Sequence, residues 1–244
     1  MRPVRTLSSL TVAAVLAVGL SACTINVGGG TPETPAPEET TAAEESPEVD
    51  DAEEVDAEAA EGTGASEGAL PDWANPVTTP GEQISTFTIG DVRVDVYQVG
   101  TAQATKDGLF ANPDTNEPII AQGADIVFIN YVITNEGEPI DLGSSLVSID
   151  ERYVDWPYLG GMDTIVDDEL YAAQGVNDDG MAPGAYREPT VYTFGTDQSY
   201  SYGVNFLYQP GTEITFDGTI VPVDAQGELL HDERIEGEGT GTIS

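Results

Sequence analysis

The chain reads as an all-β protein: an antiparallel β-sandwich with one short crossover helix, preceded by an N-terminal signal and an acidic linker. Three observations predict this. Apolar and polar residues alternate at period two in several short runs, the mark of half-buried strands. Clusters of Gly, Pro, Asn and Asp separate those runs about every ten residues. The aromatic residues lie within 71–244, a length suited to a single domain.

The first 22 residues read as an address rather than as structure. Arg2 and Arg5 supply a positive start, and Leu10 to Leu20 form an apolar run. That run is about half of the ~20 residues that span a bilayer, so it reads as a signal peptide. It ends in Leu20-Ser21-Ala22-Cys23. This sequence resembles the lipobox of bacterial lipoproteins: Leu, two small residues, then Cys. The resemblance implies cleavage before Cys23 and a diacylglyceryl group on its sulfur. Two acyl chains are what stable anchoring requires. The expectation is a protein held on the extracytoplasmic face of the cell membrane.

Residues 23–70 then carry 14 acids and no base. Pro, Thr, Ala, Gly and Glu dominate, and no aromatic residue is present. Such a segment cannot bury enough apolar area to offset its ordering entropy, so a disordered tether is expected. A flexible coil of this length spans on the order of 35–40 Å, and self-repulsion extends it.

The domain, 71–244, follows in short steps. Ile84–Ile89 and Val92–Val99 flank Gly90-Asp91, the signature of a tight hairpin. In Asp125–Asn135, Val127, Ile129, Tyr131 and Ile133 share one face. Further strands are expected at Leu142–Ile149, Thr190–Phe194, Tyr200–Tyr208, Glu213–Val223 and Leu229–Ile235. Asp163–Gln174 reads as a crossover helix, with Asp163 as its N-cap and Ile165, Val166 and Leu170 at helical spacing. Gly175–Glu188 reads as a loop.

The run from Phe128 to Leu142 (FINYVITNEGEPIDL) resembles the central motif of an immunoglobulin-like domain of unknown function, common in Gram-positive surface lipoproteins. That pattern is a strand ending in V-x-N, an acidic-Gly turn, then P-(I/V)-x-L. Gly203–Phe206 and Ile220–Asp224 are similar to its second half. The resemblance implies an immunoglobulin-like fold and a surface location, and carries no catalytic residue.

Charge and composition exclude several classes. The net charge is −37, with 44 acids against 7 bases. A nucleic-acid partner is not expected, because phosphates are neutralised by Lys and Arg. The single Cys leaves no thiol for redox chemistry or a Cys-ligated zinc site. A catalytic triad needs a His, and only His231 exists; beside Asp232 and Glu233 it reads as an exposed strand-end residue, with a pH sensor as the alternative. No GxGxxG or phosphate loop is present.

Three functions stay open. A binding module would use loop-borne aromatics, with Trp73, Trp156 and Tyr158 as a ligand platform for an unidentified envelope protein or extracellular ligand. A structural Ca²⁺ domain would use Asp163, Asp167, Asp168 and Glu169, or Asn177, Asp178 and Asp179, because hard cations take oxygen ligands. An acid-pair hydrolase would need a concave groove holding a perturbed carboxyl. No other cofactor is expected. The binding module is the first reading, without enzymatic activity.

Overall fold

Strand β3 (Asp125–Asn135) is the spine of the domain. A computed structural model describes residues 68–244. The signal peptide, the lipobox Leu20-Ser21-Ala22, Cys23 and nearly all of the acidic tether lie outside the described residues.

Strands β1 (Glu82–Ile89) and β2 (Val92–Gln103) form the expected hairpin, and Gly90 supplies the positive φ of 61° that its turn needs. With β3 and β7 (Ser199–Leu207) they make an antiparallel sheet of order β1-β2-β3-β7. The second layer is the sheet β5-β8-β9, made of Ser148–Tyr153, Glu213–Ile220 and Ile235–Thr242. Beside it β4 (Ile140–Leu142) pairs with β6 (Tyr192–Phe194), and Leu142 bridges to Pro222 just beyond β8. Val94, Ile129 and Phe206 of the first sheet and Ile149, Phe216 and Ile220 of the second belong to one buried core. The mostly antiparallel, unclosed β architecture fits the expected sandwich.

β3 is buried on both faces. Val127, Ile129, Tyr131 and Ile133 enter the core between the sheets, as the period-two reading expects. Ile126 and Phe128 point the other way and meet Ile120, Ile165, Tyr171 and Val176. That second cover comes from α1 (Asp168–Gln174), its flanks, and an arm, residues 104–124, that leaves and re-enters the sheet between β2 and β3. Each fully buried aliphatic side chain contributes about 1.5–3 kcal/mol, so the second layer adds substantially to the first.

Several boundaries differ from expectation. Leu142–Ile149 is not one strand: a turn in which the Leu146 amide donates to Gly143 (3.0 Å) splits it into β4 and β5. The helix starts at Asp168 instead of Asp163, with Asp167 as its N-cap. The last strand is β9, not Leu229–Ile235, and His231–Glu233 is a 3₁₀ turn. β9 hides from a hydrophobic alternation because its inward residues are Gly237, Gly239 and Gly241, which press on β1. Ala69, expected in the tether, exchanges backbone hydrogen bonds with Asp197 (2.9 Å) and Ser199 (3.0 Å).

A Cβ at position 237 would overlap the Thr88 carbonyl oxygen. Gly237→Ala should therefore cost about 1–3 kcal/mol in denaturant unfolding, through forced separation of β1 and β9. On the outer face of the second sheet, Asp150, Asp217 and Glu238 stand directly opposite one another across three strands, all exposed. Like charges in register repel. Asp217→Thr should stabilise the domain by about 0.5–1 kcal/mol at low salt, and the gain should shrink on adding NaCl.

Candidate functional site

Two hollows qualify as sites, one apolar and open, the other a cleft between sheet edges.

The apolar hollow forms where the 104–124 arm meets the segment after β5. It measures about 510 Å³ and is lined by Leu109, Phe110, Pro113, Tyr158 and Leu159, among others. Leu109 is 81% exposed and Leu159 is 102% exposed, so these side chains stand in water without a packing role. Their setting is nevertheless rigid. Asn112 donates to the Tyr158 hydroxyl (3.2 Å), and Arg152 donates to the Tyr158 carbonyl (3.2 Å). Trp156 lies against Tyr158 edge to face at 5.1 Å. The Trp156 indole Nε1 is buried and makes no hydrogen bond among the described residues.

Asp163 builds this hollow from beneath. It is 2% exposed, and its carboxylate accepts from the amides of Leu109 (3.0 Å), Phe110 (3.1 Å) and Thr164 (3.0 Å). Three backbone donors satisfy a buried carboxylate and pin the arm. This displaces Asp163 from its expected place as helix cap or surface cation ligand.

Asp167 takes the cap instead. It accepts from the Glu169 amide (3.1 Å) and from the Thr105 hydroxyl (2.6 Å), and the latter bond chiefly holds its carboxyl below the usual value. Asp168 and Glu169 sit exposed in the first helical turn. Asp178 and Asp179 are exposed on the loop after the helix, where Asp179 accepts from the Met181 amide (2.9 Å). Asn177 is occupied with Pro76 and Ser201 carbonyls. Among the described residues, no three His, Cys, Asp or Glu side chains come together in a way that could hold a metal ion.

The aromatic candidates divide. Trp73 is completely buried, packed edge to face against Tyr192, Phe194 and Tyr200, with its Nε1 donating to the Thr193 carbonyl (3.0 Å). It is a core plug and offers a ligand nothing. Tyr158 lines the apolar hollow, whereas Trp156 stands behind it, packed against Tyr158 and the core residue Tyr153.

The second hollow, about 390 Å³, opens between β5 and β7 beneath α1 and the loop around Asp178 and Asp179. Its unusual member is Glu151. On β5, Ile149 and Tyr153 face inward, and Glu151 lies between them on that same face. The Tyr131 hydroxyl donates to Glu151 Oε2 (3.0 Å). Burial pushes the Glu151 carboxyl up to about 7, against the opposing pull of that hydrogen bond. Burial and the Glu151 charge together push the Tyr131 phenol well above its usual value. Sequence reading missed Glu151, although the SIDERY alternation places a carboxyl where an apolar residue belongs.

Compared with known proteins, the chain matches no protein-family model, no curated protein and no solved structure closely enough to be significant. Among the described residues, no helix is long and apolar enough to cross a membrane.

A carboxyl whose folded pKa exceeds its unfolded value holds its proton more tightly in the folded state. Its stabilising contribution is complete below the unfolded value of 4.5 and is lost as pH rises through about 7. Between about pH 5 and about pH 8 the wild type should lose on the order of 3 kcal/mol that Glu151→Gln retains. The difference between their denaturant midpoints across pH isolates this group from the other acids.

Proposed function

We propose that the protein is a lipid-anchored, extracytoplasmic binding module, tethered through Cys23 and presenting an immunoglobulin-like sandwich to a partner in the cell envelope or outside it. The observation that carries the binding reading is the open apolar hollow with exposed Leu109 and Leu159 at its rim. Exposed leucines grouped around a cavity mark interaction surfaces, whereas scattered ones do not. Locking Tyr158 by Asn112 and Arg152 lowers the ordering cost of binding.

The strand order supports the immunoglobulin-like reading. In such domains one sheet contains strands A, B and E, and the other C, F and G. Here β2, β3 and β7 take the first set of places and β4–β5, β8 and β9 the second, with β6 beside β4 as an added strand. The lipid anchor rests on Leu20-Ser21-Ala22-Cys23 and on the acidic stretch that follows.

Glu151 meets one requirement of an acid-pair hydrolase, a perturbed carboxyl in a cleft. A second carboxyl would have to come from Asp178 or Asp179 at the cleft's border. Asp179 already accepts from a backbone amide. Binding therefore stands first.

The test uses the full chain expressed in a bacterial host. Cys23→Ala should abolish labelling by an alkyne fatty acid and release the protein from the membrane fraction. A photocrosslinking residue at Leu109 should give one discrete adduct on intact cells. Leu159→Asp should remove that adduct without altering the melting temperature, because Leu159 makes no buried contact. An adduct indifferent to Leu159→Asp would overturn the assignment of the hollow.

A further inference from the structure

The buried polar side chains of this domain are well supplied with partners. Asn205 accepts from the Ile165 amide (2.9 Å) and donates to the Ile165 carbonyl (2.9 Å) and the Tyr171 hydroxyl (3.0 Å). Asp95 accepts from Thr86 (2.8 Å) and Gln83 (3.1 Å) and pairs with Arg93. Asp163 has its three amides. Glu151 breaks this pattern: among the described residues its only side-chain donor is the neutral Tyr131 hydroxyl, and no Lys or Arg forms an ion pair with it.

A half-buried carboxylate whose only side-chain donor is a neutral hydroxyl is poorly compensated, and a Leu or Gln of similar volume would avoid the cost. The groups around it make matters worse for the anion. Tyr131 faces it from β3, Tyr202 from β7 and Tyr171 from α1; Asp150, next to it in the strand but on the sheet's outer face, adds a small opposing charge, and the exposed Asp178 and Asp179 stand at the cleft's border. None of these is a cation. The cleft thus holds a carboxyl facing inward and no cation among the described residues.

Glu151 can keep its proton or receive a cation from a ligand, and the rest of the cleft restricts what that cation can be. Leu146, Met162 and Val204 line the wall with apolar surface, which suits an alkyl group. Two tyrosines, Tyr171 and Tyr202, line the cleft as well, and aromatic rings favour organic cations. The lack of any convergent trio of acids among the described residues disfavours a bare divalent metal. The domain's 30 acids against 5 bases disfavour an anion.

We propose that the cleft between β5 and β7 is a binding site for a small organic ammonium ion, its charge received by Glu151 and its alkyl part by Leu146, Met162 and Val204. This site shares no lining residue with the apolar hollow, so the two readings stand or fall separately.

The test is calorimetric titration of the full chain with n-butylammonium, tetramethylammonium and spermidine, at constant ionic strength and pH 7. The neutral isostere n-butanol and CaCl₂ serve as comparisons. At least one of the three amines should bind saturably. Binding should release a fraction of a proton per ammonium, read from two buffers of different ionisation enthalpy, because the cation favours the ionised form of a carboxyl whose pKa is raised by burial. Glu151→Gln should weaken binding about tenfold or more and abolish the proton release, while Leu159→Asp should change neither. The proton release is measured on the wild type, so the proposal stays testable if Glu151→Gln folds poorly. No saturable binding of any of the three amines overturns the proposal. Equal binding of n-butanol overturns it, because the charge would then be irrelevant. Equal binding of calcium overturns it in favour of a metal site.

Discussion

Two-sided burial of β3 is the constraint on which the rest of the domain depends. A sandwich strand needs cover on one face only. Ile126 and Phe128 on the outward face of β3 make that insufficient, because leaving them in water would forfeit several kcal/mol. The chain answers with the 104–124 arm and with α1, whose Tyr171 meets Phe128 edge to face at 5.3 Å. Both hollows follow from this answer. The apolar one lies where the arm meets the segment after β5, and the cleft lies where α1 and its following loop overhang the gap between β5 and β7.

What was legible in the sequence was whatever obeyed a single periodicity. The β1–β2 hairpin could be read from Gly90-Asp91 between alternating valines, and the inward face of β3 from Val127, Ile129, Tyr131 and Ile133. The outward face of β3 was present as well: a strand apolar on both sides signals cover on both sides. β9 was not legible, because its alternation is of glycines whose role is close approach to β1. The start of α1 was misplaced for a related reason. Asp163 has the residue type of a cap, but its carboxylate is taken by amides from a part of the chain more than fifty residues away. Local propensity does not report a tertiary partner.

The candidate sites follow the same division. Trp156 and Tyr158 were legible as loop aromatics beside a Pro, but only Tyr158 lines a hollow. Their partners Leu109 and Phe110 were not, since nothing in residues 104–124 has a strand or helix period. Trp73 carried the same local signature as Trp156, yet it fills the core between Tyr192 and Tyr200. A tryptophan's neighbours in sequence do not decide which side of a sheet it serves.

Acidity itself has two separable consequences in this molecule. On the outer face of the second sheet, Asp150, Asp217 and Glu238 repel one another in water, where screening keeps the cost small and solubility gains from it. In the cleft, where Glu151 is half-buried, water screens its charge less, and burial moves it toward the neutral form. A surface acid is tolerated because water and salt answer its charge. A core-facing acid beside three tyrosines is tolerated only if it stays protonated or a cation reaches it. At neutral pH Glu151 stands between those two states, and none of the described basic side chains supplies the cation.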